Sequence, residues 1–498
     1  MSPPPEPAPS TRVLLRLSGD ISTKAPGTLE RFSRRLGRNV EDALRSSEIG
    51  YRLERARFRF LVEIDTPAAL DVLLRVFGVQ SLSTVERRPW RTLDDLVVQG
   101  DALFREQVRG KRFAVQVRRS GETDRIPFRS PDLERALGSS LLPHSAGVDL
   151  THPEFTAHVD VQPGTADFFD HKIRGRGGLP VGIEGRALAL VSGGYDSAVA
   201  AWLMLKRGVA LDYLFCNLGG REHRQGVERV VKVLADQWSY GSRPRLFEID
   251  FAPAVSVIRE RTEPRYWQVL LKRLMLRAAE RVAREEHALA LVTGDAIGQV
   301  SSQTLPNLAV ISRACAMPVL RPLLGFNKEE IIALSRQIGT AAFSAVVEEY
   351  CAILPRHPVT HADLEVAESQ EAKLDLSILL ADLAAGTPVD LRSFEPDRAR
   401  PDLGIEAIPE GATVLDLRSR FAHEAWHAPG ALHVDFLEAL RVYRGFEEDR
   451  TYVLYCEVGQ KSAHLAELMT AAGFRAFHVR DGVRRLLRRS ADADLLIS

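Results

Sequence analysis

The sequence predicts a multidomain α/β protein, and three observations carry that expectation. The chain has 498 residues, which at about 100–200 residues per domain predicts three or four domains. Between Ala187 and Leu323, apolar strand-like runs at Leu188–Val191, Leu211–Cys216, Leu246–Ile249, Leu289–Val292 and Pro318–Leu320 alternate with helical stretches. Continuous apolar strands between helices predict a parallel sheet covered on both faces. Residues 394–411 then place Pro396, Pro401 and Pro409 among charges, as an interdomain linker does, ahead of a last unit with strands at Thr413–Leu417 and Thr451–Leu454.

The N-terminal part follows a different pattern. After a proline-rich start, Met1–Ser10, expected to be disordered, Val13–Leu17 alternates as a strand. Apolar residues at helical spacing, with Arg31, Arg34, Arg35 and Arg38 between them, predict a helix from about Thr28 to Leu44. Arg57–Ile64 alternates again and Ala68–Phe77 has the helical period, which together make a small α+β unit. A second basic stretch runs from Arg105 to Arg129, with Arg105, Arg109, Lys111, Arg112, Arg118, Arg119, Arg125 and Arg129 against Glu106, Glu122 and Asp124. It is either a solvated arginine surface or a surface for a phosphate backbone.

Composition narrows the function classes. Hydrophobic residues make up 45% and charged residues 27%, which excludes wholesale disorder. Sixty-six basic side chains balance 66 acidic ones, which excludes a uniformly basic coat. The balance is an average over unlike parts: residues 1–130 hold 24 basic and 17 acidic side chains, and residues 363–450 hold 9 and 19. Four cysteines do not make a disulfide framework and point to a reducing compartment. With neither a signal peptide nor a membrane-length apolar run, the expectation is a soluble, cytoplasmic protein with no membrane partner.

The sharpest motif is Ser192-Gly193-Gly194-Tyr195-Asp196-Ser197, where an apolar strand ending in Leu190 and Val191 turns into a helix. Small residues let backbone N–H groups approach a polyphosphate, and the helix start adds a positive dipole. The Gly-Lys-Ser/Thr of a Walker loop is absent, so the site is not of the Ras type. The pattern resembles the PP-loop of ATP pyrophosphatases, which adenylate a carbonyl oxygen and release pyrophosphate. Asn217-Leu218-Gly219-Gly220 with His223, Lys272 on a basic helix, and the polar loop Thr293–Gln303 at a strand's carboxyl end suit the same site.

Together with Leu320–Glu330, these stretches resemble the tRNA 4-thiouridine synthetase (tRNA sulfurtransferase) family over nearly the whole chain. The resemblance implies a ferredoxin-like domain over 1–54, a THUMP RNA-binding domain over 55–167, a PP-loop domain over 168–393, the linker at 394–411 and a rhodanese-like domain over 412–498. It implies that ATP is held by Leu190, Val191, Lys272, Gly294 and Gln303 beside the PP-loop residues Ser192, Gly193, Gly194 and Ser197. Asp196 and Lys328 would assist adenylation, and Mg²⁺ would neutralise the phosphates. Asn327 stands where relatives often carry Asp, and Asp295 where Glu is frequent.

Tyr452–Ser462 carries a second chemistry. An apolar strand delivers Cys456 into a short loop before a helix from about Ala463 to Met469, an environment that favours a thiolate or a persulfide anion. Val414–Ser419 and His427–His433 also fit a rhodanese-like domain, whose loop usually has the form Cys-x-x-Gly-x-Arg; Gly459 matches and Lys461 replaces the arginine. By resemblance, Cys351 forms a transient disulfide with Cys456. Cys216 is expected in the core. His423-Glu424-Ala425-Trp426-His427 matches a zinc-protease string, but Pro429-Gly430 stops a helix there, so no metal site is expected.

The resemblance thus implies an enzyme that adenylates uridine 8 of tRNA and delivers sulfur from a Cys456 persulfide. Its partners would be tRNA, a cysteine desulfurase as sulfur donor and a cellular reductant, with a homodimer among the assemblies left open. Two alternatives stand beside it: a sulfur-trafficking protein serving mainly thiamine synthesis, and a tRNA-binding protein with a decayed PP-loop, against which the intact Asp196 and Lys272 argue.

Overall fold

The computed structural model describes residues 11–56, 59–345, 347, 357–376, 386–395, 403–457 and 459–487. The chain forms two compact units.

The first unit comprises Met1–Glu184 with the short segments Lys206–Gly208 and Tyr240–Ser242. Strands β1 (Thr11–Leu17), β2 (Tyr51–Ala56), β3 (Arg59–Ile64) and β4 (Val79–Thr84) form its first sheet. Helix α1 (Pro26–Ser46) covers the sheet and α2 (Ala69–Arg75) precedes β4. Proline in the first turn of α1 costs no hydrogen bond, because that N–H is an orphan in any helix. Leu29, Phe32, Leu36, Val40 and Ala43 fall on one face of α1 and bury against Val13, Leu15, Phe60 and Val62. Burying a side chain the size of Phe32 contributes about 2–3 kcal/mol.

The second sheet of this unit is built from β5 (Glu86–Pro89), β6 (Arg112–Arg119), β7 (Gly147–Val148), β8 (Phe155–Gln162) and β9 (Thr165–Phe169), with α3 (Leu93–Phe104) and α4 (Ser130–Leu141). Its strand order is β5-β9-β8-β6-β7. Strand β10 (Ile173–Arg174) returns to pair with β4, so the first sheet has the order β10-β4-β1-β3-β2. The boundary expected after residue 54 therefore needs correction. It cuts β2 just before that strand, through Ala56, pairs with Arg59 of β3. A start of the next domain at 168 likewise falls inside β9, and β10 still belongs to the first sheet.

Arginines do structural work here. Arg87 makes a bidentate pair with the fully buried Asp167, at 2.7 and 2.9 Å, and Arg59 pairs with Asp160. In the basic stretch, Arg105, Arg109, Arg112 and Arg125 face Asp101, Glu106, Asp149 and Glu122. Arg119 donates to the carbonyl of Phe128. Most of that stretch is internally compensated, which the one-dimensional count did not reveal.

The second unit holds a six-stranded sheet of β11 (Arg186–Leu190), β12 (Ala210–Asn217), β13 (Arg245–Asp250), β14 (Leu291–Val292), β15 (Val319–Leu320) and β16 (Val389–Asp390). The helices that matter to the site are α5 (Tyr195–Lys206), α6 (Gly220–Trp238), α7 (Trp267–Glu285) and α8 (Lys328–Ile338). The order is β15-β14-β11-β12-β13-β16, parallel except for β16. The chain runs outward from β11 through β12 to β13 and then crosses back to the other side of β11. The switch point thus lies between β11 and β14, where open α/β sheets bind ligands at the strands' carboxyl ends.

The same unit carries a parallel sheet of β17 (Gly404–Ile405), β18 (Thr413–Asp416), β19 (Leu432–His433), β20 (Thr451–Tyr455) and β21 (Arg475–Val479), in the order β17-β21-β20-β18-β19. Helix α9 (Arg420–Ala425) follows β18, and α10 (Gln460–Ala471) follows β20. The expected linker, 394–411, is corrected in part, since Gly404–Ile405 pairs with β21. Among the described residues no helix is long and apolar enough to cross a membrane.

Candidate functional site

Strand β11 ends at Leu190, and residues 191–194 turn its carboxyl end into α5. Gly193 has φ +80°, which a side chain rarely adopts. Ser197 Oγ accepts from the Ser192 amide at 3.3 Å and donates to the Gly194 carbonyl at 3.2 Å, so the loop is braced from the helix it opens. His223 Nε2 donates to the Ser192 carbonyl at 3.0 Å, and burial holds this imidazole below its ordinary pKa.

The loop after β14 presses against this turn. A Cβ on Gly294 would lie 2.7 Å from the Ser197 amide nitrogen and 2.8 Å from the Asp196 carbonyl carbon, so only glycine permits the approach. The two loops border a cavity of about 550 Å³. Leu190, Leu214, Leu271, Met275 and Ile311 make an apolar wall, and Ser192, Gly194, Asp196, Ser197, Lys272 and Gln303 a polar one. Val191, Gly294 and the buried Cys216 also line it, so Cys216 is a wall residue as well as a core one.

Two ion clusters flank the polar wall. Asp196, in the first turn of α5, receives Lys328 Nζ at 3.1 and 3.2 Å and Gln299 Nε2 at 2.9 Å. Lys328 opens α8 behind its N-cap Asn327, whose Oδ1 accepts from the Glu330 amide at 2.9 Å while Glu330 reciprocates. Asn and Asp cap equally well, so this departure from relatives leaves Lys328 positioned. In the second cluster, Asp295 receives Lys272 Nζ at 2.9 Å, Thr293 Oγ1 at 2.8 Å and Arg321 Nε at 3.1 Å. Burial pushes this carboxyl up, but Lys272, Thr293 and Arg321 outweigh it and hold it at about 2. Lys272, Arg321 and Lys328 against Asp196 and Asp295 leave one positive charge in excess beside a helix N-terminus, a field that attracts a polyphosphate.

A separate centre lies at the carboxyl end of β20. Cys456 is fully buried, and its Sγ accepts from the Gly459 amide at 3.2 Å and lies 3.5 Å from Ser462 Oγ. Gly459 has φ +97° and caps α10, whose N-terminus faces the sulfur and favours its anion. Beside it, Asp416 is gripped by Arg418 at 2.9 and 2.6 Å, Tyr455 at 2.8 Å and His423 Nδ1 at 3.0 Å. Helix α9 ends at Ala425 and Trp426 is extended, so His427 does not share a helix with His423. His423 braces Asp416. Cys351 lies outside the described residues.

The structure therefore brings Leu190, Val191, Ser192, Gly194, Asp196, Ser197, Lys272, Gly294 and Gln303 to one cavity, with Gly193 in the loop that shapes it and Lys328 on Asp196. Sequence reasoning put Thr293 and Gln299 in a loop that suits the site and Arg321 in a matched stretch, but gave none of the three a partner. Thr293 and Arg321 directly follow the ends of β14 and β15, a signal for the site though not for their partners.

Four family models match the chain: the ThiI ferredoxin-like domain over residues 12–83, the THUMP domain over 91–167, thiamine biosynthesis protein (ThiI) over 182–376 and the rhodanese-like domain over 404–486. Together with the cavity and the cysteine cradle, they define a PP-loop protein with rhodanese and THUMP modules. A tRNA sulfurtransferase of Desulfurococcus amylolyticus is 37% identical over 477 residues, covering 95% of this chain and 97% of the relative. One of Escherichia coli O139:H28 is 33% identical over 476 residues, covering 93% and 98%. This chain belongs to the tRNA sulfurtransferase (ThiI) family. A crystal structure of a 4-thiouridine synthetase–RNA complex with bound ATP superposes with a TM-score of 0.67 at 29% identity, covering 76% of this chain and all of that one.

Proposed function

We propose that this protein is an ATP-dependent tRNA uracil 4-sulfurtransferase that converts uridine 8 of tRNA to 4-thiouridine. The observation that carries the reading is the cavity at the β11–β14 switch point, with Asp196, Lys272 and Asp295 on its polar wall and Lys328 paired to Asp196. Its apolar wall suits a purine ring, and its amides and excess positive charge suit phosphates. The solved relative's RNA and ATP support both ligands.

In this reading O4 of the uridine attacks the α-phosphorus of ATP, and the bond to pyrophosphate breaks. Lys328 and the helix start offset charge that develops on the phosphoryl oxygens, while Asp196 holds Lys328 in place. The terminal sulfur of a Cys456 persulfide, loaded by a cysteine desulfurase, then attacks C4 and AMP leaves. Cys351 thiolate attacks Cys456 Sγ and releases the thiocarbonyl. A cellular reductant supplies two electrons to reopen the resulting Cys351–Cys456 disulfide. Magnesium would enter on the nucleotide's phosphates and neutralise their charge. The first unit would hold the tRNA, and the reaction belongs in the cytoplasm with its substrate.

Mass analysis of tRNA from cells with and without a functional copy tests the reading. A sulfur-for-oxygen change confined to the functional copy supports it, and identical spectra refute it. The family description, thiamine biosynthesis protein, favours a second use of Cys456 as a sulfur source for thiazole formation. Asp196→Ala separates the two, since it removes tRNA thiolation and spares trafficking.

A further inference from the structure

Helix α10, which opens behind the Cys456 loop, packs against α6, which opens behind the carboxyl end of β12. His464 makes the contact. Its ring sits so close to Gly220 that a Cβ added there would lie 2.2 Å from Nδ1 and 2.6 Å from Cε1. Gly220 also has φ +67°, so conformation and space independently demand glycine at this position. Phe436 stands behind the imidazole, with centroids 6.4 Å apart. His223, on the same α6, reaches the Ser192 carbonyl of the PP-loop at 3.0 Å. A packed path thus runs from the Cys456 loop through α10 and His464 to α6, His223 and Ser192.

We propose that the α10–α6 contact, centred on His464 against Gly220, is the docking joint that holds the sulfur-carrying domain at the PP-loop site, and that His464 is a positioning residue for sulfur delivery. The inference rests on the proposed function. Delivery requires the persulfide to come within about 3–3.5 Å of an activated carbon, a proximity that a docked domain supplies as effective concentration. Burial and the facing His223 lower His464 to about 4 against Asp250, so the joint carries no imidazolium at neutral pH. A small contact between a glycine and a neutral ring can also open and close between loading and delivery. His464 touches neither centre directly, so its loss should spare each half-reaction.

The test uses the full chain carrying His464→Ala or His464→Leu, each compared with the wild type. Persulfide loading of Cys456 by a cysteine desulfurase, read as a mass increment, and ATP-dependent pyrophosphate release with tRNA should stay within about twofold. Single-turnover thiouridine formation per loaded enzyme should fall about tenfold or more. Hydrogen exchange at the start of α6 should rise in His464→Ala. Wild-type thiolation rates in both variants overturn the proposal. So does failed loading in His464→Ala, which would make His464 a support of the Cys456 loop. A wild-type chain that forms no thiouridine overturns the function reading itself, so the two failures are distinguishable.

Discussion

Lys328 Nζ lies 3.1 and 3.2 Å from the two carboxylate oxygens of Asp196, across 132 residues of sequence. The pair joins the start of α5, which opens the PP-loop helix, to the start of α8, so each residue fixes the other beside the cavity that Asp196 lines. Asp196→Asn keeps the shape and a hydrogen bond to Lys328 but not the charge. It should lower pyrophosphate release in the presence of tRNA about 10²-fold while ATP binding changes little, the pattern of a contact used in the transition state. Lys328→Gln should act alike, and the double variant should be no worse than the sum of the singles. Isothermal titration with ATP, beside a pyrophosphate assay, checks this. An unchanged rate would remove the pair from the chemistry.

Asp295 anchors the other cluster, and its acid response has a definite sign. Its folded value of about 2 lies below the ordinary 3.8, so the stability it supplies is present above 3.8 and is lost as pH falls toward 2. By linkage a depression of that size is worth about 2 kcal/mol. Removing the charge leaves Lys272 and Arg321 facing each other beside a buried amide, so Asp295→Asn should cost about 3 kcal/mol at neutral pH. It should also raise the KM for ATP about tenfold, because Lys272 loses its fixed position. Urea unfolding at pH 7 and at pH 3 checks the first expectation. An equal loss at both values would show that Asp295 contributes through packing rather than charge.

How far this site was legible depends on which interactions are local. Leu211–Cys216 was readable as a strand because a parallel strand covered on both faces is apolar throughout. Strand β2, with five of its six residues polar or alanine apart from Leu53, shows no such run, and the two-residue strands β16, β17 and β19 are too short to alternate. Asp196 and Gly194 were readable because small residues at a strand-to-helix turn have a local purpose. Gln299 and Arg321 were not, since their partners lie 103 and 26 residues away and no spacing rule encodes such a meeting. Asn327 looked like a departure from the family until its capping role was visible.

The basic stretch in the first unit now divides into two kinds of cation. Arg125 is paired with Glu122 on the surface, whereas Arg118 lies opposite Asp160 in a group that also holds Arg16, Arg59 and Lys172. Lys172 is lowered by burial and then by Arg16 and Arg118, and Arg16 falls to about 10 through burial, then Arg118 and Arg59, against Asp160. Cations that repel one another gain most from an arriving phosphate. Arg118→Gln should therefore weaken tRNA binding and reduce the slope of log affinity against log salt by about one. Arg125→Gln should leave that slope nearly unchanged. Filter binding over a salt series reads both, and equal slopes for the two variants would refute the distinction.

Gly294 tests whether the two loops form one site. Because the clash of an added Cβ is with the Asp196–Ser197 backbone, no side-chain rotation can relieve it. Gly294→Ala must push the loops apart at a cost of about 1–3 kcal/mol. The folded protein should survive with ATP affinity reduced about tenfold. A variant that binds ATP normally would show that the loops act independently.

Gly459 sets the corresponding limit at the sulfur centre. Its amide reaches Cys456 Sγ at 3.2 Å, and it does so from φ +97°, where an L-residue is strained by about 1–2 kcal/mol. An added Cβ would also sit 3.3 Å from the amide nitrogens of Asp481 and Gly482, which leaves little room for the turn to relax. The strain in Gly459→Ala should therefore tilt the amide off the sulfur, removing a donor from the anion while the strand beneath stays packed. Stability should fall by the strain alone, whereas uptake of labelled sulfur from a desulfurase should fall about tenfold, since a hydrogen bond to a charged acceptor is worth about 1.5–3 kcal/mol. Thermal melting separates the two effects. Full sulfur uptake in a folded Gly459→Ala protein would mean that the helix N-terminus, rather than this amide, holds the persulfide charge.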